Sequence, residues 1–167
     1  LNEFFAGRVK NLFLTQGNDT LLVEAVMNAG CSDVWAASRR LAALVAESGK
    51  PGFANNAQTF KRVANILRKQ GAGAPSTFSR ELLMEEPEKA LADALDVMTA
   101  KFDELWAQDR FDELLALMDG VRPTVDAFFN GVMVMAEDEK LRANRLGLLQ
   151  VLLSRMGKLA DFSALQM

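Results

Sequence analysis

Apolar side chains recur every three or four positions along nearly the whole chain, and no stretch alternates with period two between turn signals. That pattern predicts helices throughout and no sheet. A first helix spans about residues 2–15, with Phe4, Phe5, Leu12 and Phe13 on its apolar face, and breaks at Gly17. Asn18 or Asp19 caps a second helix reaching about Ala29, with Gly30 as its terminator. Ser32 or Asp33 caps a third, Val34 to Glu47, closed by Ser48, Gly49 and Pro51. A fourth runs from about Asn55 to Gln70, and residues 71–79 form a loop. Pro87 suits the first turn of a long helix reaching about Ala107. Asp109 is expected to cap a helix that ends at Gly120, and Pro123 to open another through about Asn130. The last long helix runs from near Asp138 to Lys158, and a tail, Asp161 to Met167, docks through Phe162 and Leu165. The expectation is an all-α, compact bundle of about seven or eight helices in one domain, with residues 1–50 as leading helices and 51–167 as the main bundle. The chain opens at Leu1 directly in a helical pattern, which suggests a piece of a longer protein.

Composition narrows the chemistry. The 167 residues include no histidine and no tyrosine. Serine–histidine and cysteine–histidine nucleophile pairs are therefore excluded, as are most metal sites. Cys31 is the single cysteine and has no internal disulfide partner, so a reducing, cytoplasmic setting is expected. No apolar run reaches the roughly 20 residues of a bilayer crossing, and no basic segment precedes an apolar one as in a signal peptide.

The net charge of −3 hides a strong asymmetry. Residues 48–80 carry six cations (Lys50, Lys61, Arg62, Arg68, Lys69, Arg80) and no acid, whereas residues 81–119 carry twelve acids and three cations. One face can thus attract a polyanion while the whole stays acidic. In the fourth helix Phe60, Val63, Ala64 and Leu67 form the inward stripe. The outward face offers Lys61, Arg62, Asn65, Arg68 and Lys69. Cations of this kind hold phosphates, and an asparagine amide offers a donor and an acceptor to a base edge. Phe53, Phe60 or Phe78, where exposed, would stack an unpaired base. The competing reading is a solvated polar face whose cations favour the helix C-terminus.

Other constellations read as structural. Phe128 to Met135 has the paired aromatics and methionines of a bundle interior. Arg142 and Arg145 either pair with acids such as Asp126 or Glu137 or face RNA, with pairing favoured. Glu85, Glu86 and Glu88 flank Pro87 at a helix start, where the macrodipole favours acids. Gly71-Ala72-Gly73-Ala74 lacks the Gly-Lys-Ser/Thr of a phosphate loop, and the sequence offers no catalytic site.

Phe60-Lys61-Arg62-Val63-Ala64-Asn65-Ile66-Leu67, then Ala127 to Asp138, then Leu141-Arg142-Ala143-Asn144-Arg145-Leu146 and the terminal Ala160-Asp161-Phe162-Ser163, together resemble the C-terminal region of the bacterial glycyl-tRNA synthetase beta subunit. The resemblance spans roughly the last two thirds of the chain and implies a helical anticodon-binding domain of the DALR type, shared with arginyl-tRNA synthetase. At the Asp-Ala-Leu-Arg motif this chain reads Glu139-Lys140-Leu141-Arg142, with Asp138 or Glu139 available to supply the acid. The resemblance further implies a non-catalytic piece, without a cofactor of its own, of a tetrameric ligase whose alpha subunit carries most of the aminoacylation site and whose whole uses ATP and Mg. The implied partner is glycine tRNA, bound at its anticodon loop through Lys61, Arg62, Asn65, Arg68 and Lys69, with Arg142 and Arg145 as further candidates. A helical protein-docking module, or the equivalent domain of arginyl-tRNA synthetase, are the alternatives.

Overall fold

The computed structural model describes residues 3–70 and 73–165. Seven α-helices follow one another: α1 (Glu3–Thr15), α2 (Thr20–Asn28), α3 (Val34–Ser48), α4 (Phe53–Gln70), α5 (Glu86–Ala107), α6 (Phe111–Gly131) and α7 (Glu139–Leu159). Short 3-10 turns lie at Arg80–Leu82 and Phe162–Ala164. The described residues hold no strand. The expected starts at Asn2 and Gly71 and the end of the tail at Met167 lie outside the described residues.

Local chemistry sets most boundaries. Asp19 accepts from the Leu21 and Leu22 N–H groups to open α2, and Asp33 accepts from Trp35 N to open α3. Asp138 does the same for α7 through Lys140 N and Leu141 N. Gly30 and Gly52 have φ of 112° and 89°, which only glycine adopts without strain.

The pattern misplaced one break. α6 is continuous, with Pro123 inside it, and no helix ends at Gly120. Leu114, Met118, Val121, Val125 and Phe128 are all buried and keep one helical phase straight through the proline. Burial of that stripe outweighs the single backbone bond the ring removes. Asp109 is not a cap either. Its φ is 53°, it lies in the left-handed turn between α5 and α6, and α6 begins after Arg110.

α5 and α6 form an antiparallel hairpin at the centre. Its open end closes where Gly131 meets the Pro87 ring so tightly that an added Cβ would lie 3.0 Å from Pro87 Cγ. α7 packs against α5 and α4, and the loop after α4 is strapped onto it. Ser79 N donates to Asn144 Oδ1 at 2.6 Å, and Asn144 Nδ2 returns to Ser79 O at 3.0 Å. Gly147 lets the loop approach: a Cβ there would stand 2.2 Å from Thr77 O. The C-terminal tail docks as expected. Phe162 and Leu165 are buried, Phe162 lies 5.5 Å from Phe60 between ring centroids, and Asp161 N donates to Ala25 O. α1 buries Val9 and Phe13 but leaves Phe4, Phe5 and Leu12 largely exposed, so its apolar face is narrower than the spacing suggested.

Candidate nucleic-acid interface

α4 owes its inward stripe to Phe53, Ala57, Phe60, Val63 and Leu67, all buried. Phe53 and Phe60 are therefore core residues and unavailable for stacking, and Phe78 is half-buried against the core. On its edge towards α6 the helix is polar. Asn56 Nδ2 donates to Asp119 Oδ1 at 2.7 Å, and Thr59 Oγ1 donates to Asp126 Oδ1 at 2.7 Å. Arg122 takes the other oxygen of Asp126 at 2.7 Å. The α6 carboxylates are thus already engaged where α4 passes them. One turn further on, Arg62 lies over the Phe129 ring, 4.2 Å from guanidinium carbon to ring centroid.

The six cations of the acid-free window divide cleanly. Lys50 pairs with Glu47 at 2.8 Å, and Arg80 pairs with Asp93 and Asp96 on α5. Lys61, Arg62, Arg68 and Lys69 form no ion pair among the described residues. Arg62, Arg68 and Lys69 are exposed. The acidic block of residues 81–119 does not reach them, so α4 presents an uncompensated positive ridge. Two of the expected contacts are modified by internal bonds. Lys61 Nζ, half-buried, donates to Leu165 O at 2.8 Å and so ties the tail to α4. Asn65 Oδ1 accepts from Arg68 at 2.9 Å, which leaves the amide N–H₂ as its outward group.

Arg142 and Arg145, the two candidate arginines on α7, serve the fold. Arg145 is 6% exposed and belongs to no surface. Its Nε donates to Glu88 Oε1 at 2.8 Å and its Nη1 to Met133 O at 2.7 Å. Neither Asp126 nor Glu137 is its partner, because Arg145 lies on the inward phase of α7 and points at α5. Arg142 is half-buried and donates to Ala136 O at 3.1 Å. With Asp138 as N-cap, Leu141 partly buried and Arg142 reaching back, the retained Leu-Arg pair seals the entry to α7. Asp138, not Glu139, supplies the acid at that helix start.

The Glu88 carboxyl was missed as a core residue. Burial pushes its pKa up, but the Arg145 guanidinium and the N–H groups of Glu85 and Met84 pull harder and hold it below the ordinary carboxylate value. The signal was present in the sequence: residues 88, 91, 95, 98, 102 and 105 keep the three-four phase of the α5 stripe. Of the Phe128–Met135 stretch expected in the interior, Phe129 packs half-buried against the core beneath Arg62, whereas Met133 and Met135 are exposed.

An all-helical bundle with an acid-free cationic helix and a sealed last-helix entry defines a class. Residues 57–165 match the DALR anticodon binding domain family, and the chain belongs to that family. Over its full length it is also similar to particular proteins. It is 50% identical over 171 residues to the glycine--tRNA ligase beta subunit of Nitratidesulfovibrio vulgaris strain Hildenborough, covering 25% of that protein. It is 52% identical over 171 residues to the namesake of Oleidesulfovibrio alaskensis, again covering 25%. It is 41% identical over 165 residues to that of Myxococcus xanthus, covering 23%. The chain therefore spans about a quarter of the length of the curated relatives it matches. Among the described residues no helix is long and apolar enough to cross a membrane.

Proposed function

We propose that this chain is the anticodon-binding domain of a glycine--tRNA ligase beta subunit, and that the α4 ridge receives the anticodon loop of glycine tRNA in the cytoplasm. The single observation that carries the reading is the set Lys61, Arg62, Arg68 and Lys69, none of which has an acidic partner among the described residues. In this reading the domain performs no chemistry. Aminoacylation, with its ATP and Mg, belongs to the alpha subunit and the remainder of the enzyme, and the domain contributes affinity and orientation. Lys69 and Arg68 hold phosphates, which fixes register without reading sequence. Arg62, over the Phe129 ring, and the free amide N–H₂ of Asn65 face unpaired bases, and cytosines of a glycine anticodon present acceptors for both donors.

The test is tRNA binding by the full-length protein across a salt series. Lys69→Ala is expected to weaken binding to glycine tRNA and to other tRNAs alike, and to reduce the slope of log affinity against log salt by about 0.7–0.9. Arg62→Ala is expected to cost about 1–3 kcal/mol and to reduce discrimination between cytosine and other bases in the anticodon. Wild-type binding by both variants, or no tRNA binding at low salt, would instead support a protein-docking role.

A further inference from the structure

We infer that the strap between α6 and α7, residues 132–136, is a platform for unpaired nucleobases, with the Met133 and Met135 side chains as its apolar surface. The inference rests on the tRNA-binding reading above and assigns to it a site on a different element from the ridge.

The strap alternates. Val132, Val134 and Ala136 are buried, whereas Met133 is 71% exposed and Met135 is 48% exposed. The exposed pair therefore faces outward because of backbone register, and the register is fixed from beneath. Arg145 Nη1 holds Met133 O at 2.7 Å and Arg142 Nη1 holds Ala136 O at 3.1 Å. Val132 N closes the last turn of α6 on Phe128 O at 3.0 Å. Two large apolar side chains are thus held in water on an anchored backbone, where burial against a ligand is favourable.

Charge identifies what covers them. Gln70 at the end of α4 donates to Met135 Sδ at 3.7 Å, so the strap abuts the C-terminal end of the ridge that carries Arg68 and Lys69. Arg62 on Phe129 lies at the α6 end of the same strap. The acids nearest in sequence, Glu137, Asp138 and Glu139, all lie on the α7 side of the strap, with Asp138 bound as the α7 N-cap. A partner that brings phosphates to the ridge can set its unpaired bases on the adjoining thioethers and on the Arg62–Phe129 stack. Each nucleobase has a polarisable face that such groups pack against without regard to sequence. A duplex, with its bases already stacked, gains nothing from the platform, so the fitting partner is a single-stranded loop.

The experiment compares wild type and the Met133→Ala/Met135→Ala double variant of the full-length protein. Each binds glycine tRNA and the same tRNA made abasic at the anticodon-loop nucleotides. Both methionines are exposed, and an unchanged melting temperature verifies the fold. The double variant is expected to lose roughly tenfold in affinity for intact tRNA. Its salt slope should stay as in wild type, since no charge is removed. On abasic tRNA the two proteins should bind equally. Wild-type affinity of the double variant for intact tRNA, or an equal loss on abasic tRNA, would overturn the platform while leaving the ridge intact. Failure of the ridge itself reads differently, as an unchanged affinity and salt slope in Lys69→Ala.

Discussion

Truncating Arg145 to alanine is expected to lower the unfolding free energy by about 3–5 kcal/mol, a large share of the 5–15 kcal/mol typical of a domain. The cause is what remains behind. Glu88 is 0% exposed, and its charge is held by Arg145 on one oxygen and by Met84 N and Glu85 N on the other, at 2.9 and 2.7 Å. Without the guanidinium it is a buried carboxylate short of a counter-charge, and Met133 O loses its donor as well. Urea unfolding of the variant at neutral pH measures the loss. The same pair gives an acid signature. Because the Glu88 pKa is lower in the folded state than the ordinary value near 4.3, the unfolded chain binds the proton more tightly. Stability from this group is complete above that ordinary value and is lost as pH falls through the lower folded one. Glu88→Gln should therefore remove that component of acid destabilisation, seen as a flatter profile of stability against pH below about 4.3.

Arg40→Ala is the second large effect, at about 2–4 kcal/mol. Arg40 is 7% exposed and pairs with no carboxylate among the described residues. Its Nη1 donates to Lys158 O at 2.6 Å and its Nη2 to Gly30 O at 2.5 Å. These carbonyls end α7 and the turn after α2, where no helical N–H remains to satisfy them, and a cation also complements the helix dipoles. Burial lowers the guanidinium pKa, with the nearby Cys31 acting in the opposite direction. Removing the side chain strands two carbonyls and detaches the end of α7 from α3. Arg40→Lys should recover only part of the loss, because an ammonium lacks the planar fork that spans both acceptors. Thermal unfolding followed by circular dichroism of the helices checks this.

Helix count and tail docking were readable in advance because each depends on local periodicity and capping. Asp19, Asp33 and Asp138 act as the caps their positions suggest. Several of the differences share one physical origin, which is that tertiary burial overrode a local rule. Pro123 obeys the stripe rather than its own preference to start a helix. Glu88, Arg40 and Arg145 look like surface charges by type, yet each falls on the inward phase of its helix. An acid on that phase of α5 and a base on that phase of α7 were the available sign of a buried pair. In the interface, the acid-free window located the ridge, because charge clustering survives folding when the neighbouring carboxylates have other partners. Which of its cations stay outward was not legible. Lys61 turns to Leu165 O and Arg80 to Asp93 and Asp96, choices set by elements far away in sequence. Met133 and Met135 carried a period-two alternation that a helical reading passed over.

Lysine footprinting addresses the central claim most directly. The full-length protein is acetylated with and without saturating glycine tRNA, and each lysine is quantified by mass spectrometry. Lys69 on the ridge should become protected, while Lys89 and Lys101 on the acidic α5 face, also exposed in the free protein, should react as before. Protection of Lys89 and Lys101 with Lys69 still reactive would place the tRNA on the α5 face and contradict the account.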